Sequence, residues 1–275
     1  MRIRAGYEIS HNCPQPTPMV LMLSVRPERA PDLVTPDRLR ITPEVPVKSY
    51  LDSFGNLCHF VNAPAGPVTF SNEFVIEDSG LPDEYAPDAV QHAVEDLPVE
   101  TLVYLLGSRY CETDRLNSLA WSLFGNTPKG WTLVQSIVDY VHNQISFGYQ
   151  YARPTKTAFD AHEERLGVCR DFAHLAITLC RCMNIPARYC TGYLGDIGVP
   201  ADPAPMDFSA WFEVYLGGRW YTFDARHNTP RIGRIPMARG RDATDVAMVT
   251  SFGACALTGF RVITDEVEEP IAAAA

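Results

Sequence analysis

The chain has 275 residues, 46% of them hydrophobic and 20% charged, with a formal net charge of −10 and a pI near 5.1. That length supports one large or two modest domains with a buried core, and that balance excludes a disordered chain. The acidic surface disfavours nucleic acid and anionic membrane as partners, and no apolar run approaches the roughly 20 residues needed to cross a bilayer.

In chain order, MRIRAGYEISHNCPQPTP carries no continuous apolar stretch, so no signal peptide is read and a cytoplasmic location is the expectation. Residues 1 to about 78 read as strands: Arg2–Ser10 alternates, Met19–Val25 is apolar, and Val68–Ile76 is rich in β-branched and aromatic residues. Phe54-Gly55-Asn56 supplies a turn between strands at Val47–Leu51 and Leu57–Val61. These elements predict a small antiparallel sandwich-like β domain at 1–82, followed by a proline-rich, acidic linker and helical connection at 83–112. A short alanine tail stands at 272–275.

Helical periodicity then takes over at Asp114–Phe124, Thr132–Ile145, a short segment near Ala158–Arg165, and Cys169–Met183. In the last of these Phe172, Leu175, Ala176, Leu179 and Met183 form one apolar face, and Asn184 and Pro186 stop the helix. Strands are expected at Ala187–Leu194, Ala210–Leu216, Arg219–Ala225, Asp245–Phe252 and Thr258–Thr264, with Gly217-Gly218 as a tight hairpin turn. Helices followed by an antiparallel sheet define an α+β core spanning 113–268. The eight cysteines lack zinc-site spacing, and most are expected to be buried free thiols.

Cys169 follows Gly167 at a helix start, where free backbone N–H groups and the helix dipole favour a thiolate and could help hold an oxyanion. Gly167 would let a substrate backbone approach closely. Strand alternation divides the hairpin into two faces. Ala210, Phe212, Val214, Leu216, Tyr221, Phe223 and Ala225 form a core face; Ser209, Trp211, Glu213, Tyr215, Trp220, Thr222, Asp224 and Arg226 form a polar and aromatic one. Ser209 and Asp224 are diagonal neighbours on the second face.

The segments GVCRDFAHLAITLCRCMNIPARYCTGYLGD (167–196) and AWFEVYLGGRWYTFDARHN (210–228) resemble bacterial transglutaminase-like proteins with a papain-type cysteine core, and the strand-rich N-terminus resembles the β domain that often precedes this core. The resemblance implies a Cys-His-Asp triad, with Cys169 as nucleophile and Asp224 as orienting carboxylate. The histidine position is occupied by Ser209, which is no base near neutral pH. His227 is the nearest substitute: strict alternation places it on the core face, and a turn after Asp224 would swing it round. Arg226 is an alternative partner for Asp224. His174 faces away from Cys169 by helical geometry. Arg170 and Asp171 read as capping and ion-pairing residues, and Tyr193, Asp196 and Trp211 as walls of a substrate cleft. The basic run 231–242 reads as a solvated loop, with an anion-holding role as the alternative.

Two functions follow. In the first, Cys169 forms a thioester from a peptide or amide substrate and passes it to water or an amine, with no metal or organic cofactor; Ser209 would position a water or carbonyl while Asp224 or His227 handles protons. In the second, the fold is kept and the triad lost, leaving a binding or scaffold protein. The oligomeric state is left open by both.

Overall fold

A computed structural model describes residues 1–267; the alanine tail at 272–275 and residue 268, the expected end of the core, lie outside it. The N-terminal strands are β1 (Arg2–Cys13), β2 (Thr17–Leu21), β3 (Arg40–Thr42), β4 (Val47–Leu51), β5 (Leu57–Ala63) and β6 (Gly66–Glu77). Their burial has a period of two. On β6, Val68, Phe70, Asn72, Phe74 and Ile76 point inward while the residues between them stay nearer the surface.

Next come α1 (Thr113–Phe124), α2 (Trp131–Gln144), β7 (Ser146–Phe147), α3 (Ala158–Glu164), β8 (Leu166–Gly167) and α4 (Cys169–Cys182). The chain ends in β9 (Ala187–Tyr193), β10 (Ser209–Leu216), β11 (Arg219–Phe223), β12 (Ile235–Gly240), β13 (Val249–Ser251) and β14 (Ala256–Glu266). The α+β class read from the sequence is the one observed, with antiparallel order β11-β10-β9-β12 in the core sheet.

The β domain is a two-sheet sandwich with orders β14-β1-β6-β3 and β13-β2-β5-β4. Its boundaries differ from the expected 1–82 and 113–268. Strands β13 and β14 fall inside the expected core, yet β14 pairs with β1 over Ile3↔Glu266 to Asn12↔Ala256 and β13 pairs with β2. The alternation of β14 marks it as a strand, but its partner lies at the other end of the chain, beyond the reach of local pattern. Cys13 and Cys255, expected as free thiols, meet where this ladder ends and form a disulfide. The segment 83–112 is strapped to the core: Ala89 O accepts the Trp131 N–H and Val90 O accepts the Gly217 N–H.

Helix α4 is the axis of the core. Every residue from Asp171 to Cys182 is buried, so the predicted single apolar face understates it. Helices α1, α2 and α3 and strands β9 and β10 surround it. Several of its polar groups find partners inside the protein, as burial favours. Arg181 donates to the carbonyls of Ala187, Leu106 and Arg241, and Thr178 Oγ1 donates to His174 O. The core face of the hairpin packs on this helix, with Ala210, Phe212, Val214 and Leu216 all buried. The β10–β11 register, Leu216↔Arg219 to Phe212↔Phe223, is the one the Gly217-Gly218 turn predicts. Both glycines have positive φ, 55° and 88°, a conformation that L side chains resist.

One end of the sheet also meets the sandwich. Tyr193, Phe208, Ile235 and Met237 complete the sandwich's own hydrophobic core. The basic run is structural rather than a solvated loop: Arg231 and Arg234 are buried, and Arg239 bonds Glu213 in the sheet and Glu28 in the β domain. Arg188 holds the other Glu213 oxygen at 2.6 Å, so this carboxylate is neutralised on both sides.

Candidate active site

Cys169 is the first residue of α4, and the turn before it is fixed from within. Asp171 Oδ2 accepts the Val168 N–H at 2.9 Å. A Cβ on Gly167 would lie 2.8 Å from Asp171 Cβ, so this glycine makes room for the capping carboxylate rather than for a substrate backbone. The buried Lys156 Nζ donates to Leu166 O at 2.8 Å and holds the strand that leads into the turn. Arg170 donates to Arg153 O at 2.5 Å and lies 3.5 Å from Asp171, which matches its expected pairing role.

The thiol opens into a cavity of about 460 Å³ lined by Tyr110, Arg153, Arg170, Tyr189, Asp207 and Ser209, among others. Although Cys169 reaches this space, its sulfur sits deep, and burial pushes its pKa up to about 11. Arg226 and the Ala210 backbone N–H pull it down, while Asp207 and Asp224 push it up. At neutral pH the resting group is a thiol, contrary to the thiolate that the helix terminus alone predicts.

Ser209 begins β10, opposite Gly192 of β9. It is 5% exposed, and its Oγ has no hydrogen-bond partner among the described residues. Asp224 stands just past the end of β11. Its Oδ1 accepts the backbone N–H groups of Arg226 and His227 at 3.0 and 3.1 Å. This turn swings His227 off the core face that strict alternation assigns to it. The His227 Nδ1 lies 2.9 Å from Asp224 Oδ2, and Arg234 donates to the same oxygen at 3.0 Å. Burial alone would push the Asp224 carboxyl up; Arg234, followed by His227, outweighs it and holds the group well below the usual carboxylate range. Arg226 does not pair with Asp224 through its side chain, and its guanidinium lies 3.8 Å over the Phe147 ring.

His227 lines a second, smaller cavity of about 60 Å³ with Tyr149, Asp196, Asp207, Ser209 and Arg226. Among the described residues no histidine lines the cavity of Cys169. The structure thus gathers Cys169, Ser209, Asp224 and His227 in one region, with cysteine and histidine on separate spaces joined by Asp207, Phe208 and Ser209, which line both. Asp196 lines the smaller cavity. Tyr193 and Trp211 do not fit the expected cleft role. Tyr193 is fully buried against Phe74 and Phe208, and Trp211 is 2% exposed beneath the Arg234 guanidinium. The β domain covers Tyr193 and Arg234 covers Trp211, which strand alternation cannot show. His174 does not line the cavity of Cys169; it is buried and stacked on Tyr110, its Nε2 accepting the Ala243 N–H at 3.1 Å. Asp207 was missed; it sits in an irregular loop, and its only signal was being two residues before the family's histidine position. Among the described residues there is no His/Cys/Asp/Glu cluster able to hold a metal, and no helix is long and apolar enough to cross a membrane.

A cysteine at a central helix start and an aspartate beside a hairpin form a papain-type, transglutaminase-like core, and the chain belongs to the transglutaminase-like superfamily. The superfamily model matches residues 118–225, which include Cys169, Ser209 and Asp224. The crystal structure of a presumed cysteine protease from Cytophaga hutchinsonii is 30% identical, covers 98% of this chain and 92% of its own, and superposes with a TM-score of 0.82. That match extends over both the sandwich and the core. An uncharacterized Mycobacterium leprae protein, ML0607, is 36% identical over 94 residues, a third of each chain. The periplasmic domain of TgpA from Pseudomonas aeruginosa, at 13% identity and a TM-score of 0.39, covers 78% of this chain and 91% of its own, a likeness too distant to bear on activity.

Proposed function

We propose that the protein is a cysteine-dependent hydrolase or acyltransferase acting on amide bonds of peptides, with Cys169 as nucleophile. The observation that carries this reading is the placement of Cys169: alone among the free cysteines it is not buried, and it opens the central helix into a cavity large enough for a side chain and part of a backbone. The Ala210 N–H beside the sulfur supplies a hydrogen bond that favours the thiolate. The likeness to the Cytophaga hutchinsonii protein supports peptide chemistry. Asp224, saturated by Arg234, His227 and two backbone N–H groups, fixes the strand end; His227 faces the smaller cavity, where a leaving amine or water would lie. The Cys13–Cys255 bridge favours an oxidising compartment over the cytoplasm, because reducing compartments keep thiols free.

A second reading, a peptide-binding protein without turnover, is favoured by the thiol's raised pKa and by the absence of a histidine from its cavity. The two separate in one experiment. A defined peptide mixture containing glutamine side-chain amides and ε-linked isopeptides is incubated with the chain and with Cys169→Ala, and products are read by mass spectrometry. Products formed by the unaltered chain alone support the enzyme. Peptide retention by both chains without any product supports the binding reading and sinks the first.

A further inference from the structure

The role left empty by Ser209 is that of a proton acceptor beside the thiol, and the two cavities show what stands in its place. Asp207, Phe208 and Ser209 are the residues common to both. Ser209 presents an unpartnered, 5% exposed hydroxyl between them. Asp207 precedes it by two positions. Its Oδ1 accepts the Phe208 N–H at 2.7 Å, and no arginine, lysine or histidine among the described residues forms a salt bridge with the carboxylate.

We propose that Asp207 is the general base and acid for Cys169, a carboxylate doing the work of the histidine this chain lacks. The proposal rests on Cys169 being the nucleophile. In the first half-reaction the sulfur bonds the amide carbon while its proton passes to Asp207. The carbon–nitrogen bond then breaks, and Asp207 returns the proton to the leaving amine. In the second, water gives a proton to Asp207 and attacks the thioester, and the carbon–sulfur bond breaks. The proton goes back to sulfur. No oxidant or further reactant is needed. The Ser209 hydroxyl, with no partner among the described residues, is free to hold the attacking water or the substrate carbonyl.

The electrostatics suit this role. Burial raises the Asp207 pKa and outweighs the Phe208 N–H and Arg226, which lower it, so the group is a stronger base than an exposed aspartate. Arg153 and Arg170 flank the larger cavity. Asp196, Asp202, His227 and Arg231 flank the smaller one.

The Asp207→Asn variant separates the two roles by the sign of its effect. The Asp207 charge raises the pKa of Cys169, so if that were its whole effect, Asp207→Asn would give more thiolate and faster acylation. A proton acceptor predicts the reverse. With p-nitrophenyl acetate as acyl donor and the full chain, the burst of p-nitrophenolate is followed from acid to alkaline pH. Asp207→Asn should slow the burst at neutral pH by about 10²-fold, and Asp207→Glu should recover part of it. In the unaltered chain the burst rate should level off through a carboxylate-type titration well below the thiol's value of about 11; this second readout holds even if Asp207→Asn fails to fold. An equal or faster burst in Asp207→Asn, or a rate that keeps climbing towards the thiol's own titration, overturns the proposal while leaving Cys169 as nucleophile. Absence of any burst that depends on Cys169 removes the nucleophile, and this proposal with it.

Discussion

Replacing Arg234 by methionine probes the pair that now occupies the triad aspartate. The Arg234 and Asp224 side chains are 7% and 2% exposed, and the contact is 3.0 Å. Arg234 also holds Asp83 through Nε at 2.9 Å, so one substitution leaves two carboxylates short of a partner. Removing one member of a buried pair costs about 3–5 kcal/mol. For a chain of this size that corresponds to a fall in unfolding temperature on the order of 10 °C. The pH dependence follows from the sign of the Asp224 shift. Its pKa is depressed in the folded chain, so its contribution is present above the unfolded value near 3.9 and is lost as pH falls towards the depressed one. Without Arg234, burial dominates and the pKa rises. The variant is then weakest near neutrality, and protonation of Asp224 relieves it in acid. Urea unfolding monitored by tryptophan fluorescence from about pH 7 to about pH 4 should show the gap between the two chains narrowing. A loss under about 1 kcal/mol, the scale of a surface pair, or a gap that widens in acid, refutes the reasoning.

Ser209→His restores the family's base beside Cys169 and should speed acylation by p-nitrophenyl acetate at neutral pH by about 10²-fold or more; an unchanged rate would show that the imidazole cannot reach the sulfur. The Cys13–Cys255 bridge spans a sequence separation of 242, and chain entropy puts its effect near 5 kcal/mol. Reduction should lower the unfolding midpoint, and eight titratable thiols in the denatured, unreduced chain would contradict the bridge. Burial pushes the His174 pKa down to about 3. Its ring signals should therefore not titrate between about pH 5 and 8, and because the unfolded chain takes up that proton first, stability should fall as pH drops below about 6.5. A His174 titration near 6.5 by NMR would show that the ring is not sealed in.

The core elements were legible because each carries its signal locally. A glycine before an apolar helix marked Cys169, and a glycine pair set the hairpin register that places Ser209 and Asp224. Pairings between distant segments were not legible. Strand β14 alternates well enough to be a strand, but nothing in its sequence names β1 as its partner or Cys13 as the partner of Cys255. The same limit hid the coverage of Tyr193 and Trp211, since alternation gives two faces without saying what lies against them. For His227 the sequence offers both a core face and a turn. The turn won because the Asp224 carboxylate collects the two backbone N–H groups that follow it. Asp207 and Arg234 were not legible as site residues, one in an irregular loop and the other in a run whose charge suggested solvent.

The most direct test of Cys169 as the nucleophile is to trap its acyl intermediate. The full chain is mixed with the peptide mixture, quenched in acid within the first turnovers, and mapped by peptide mass spectrometry with and without neutral hydroxylamine. The expected result is an acyl adduct on Cys169 that hydroxylamine removes and that Cys169→Ala lacks. A chain that turns over the peptides while Cys169 stays unmodified, or whose turnover survives Cys169→Ala, would contradict it.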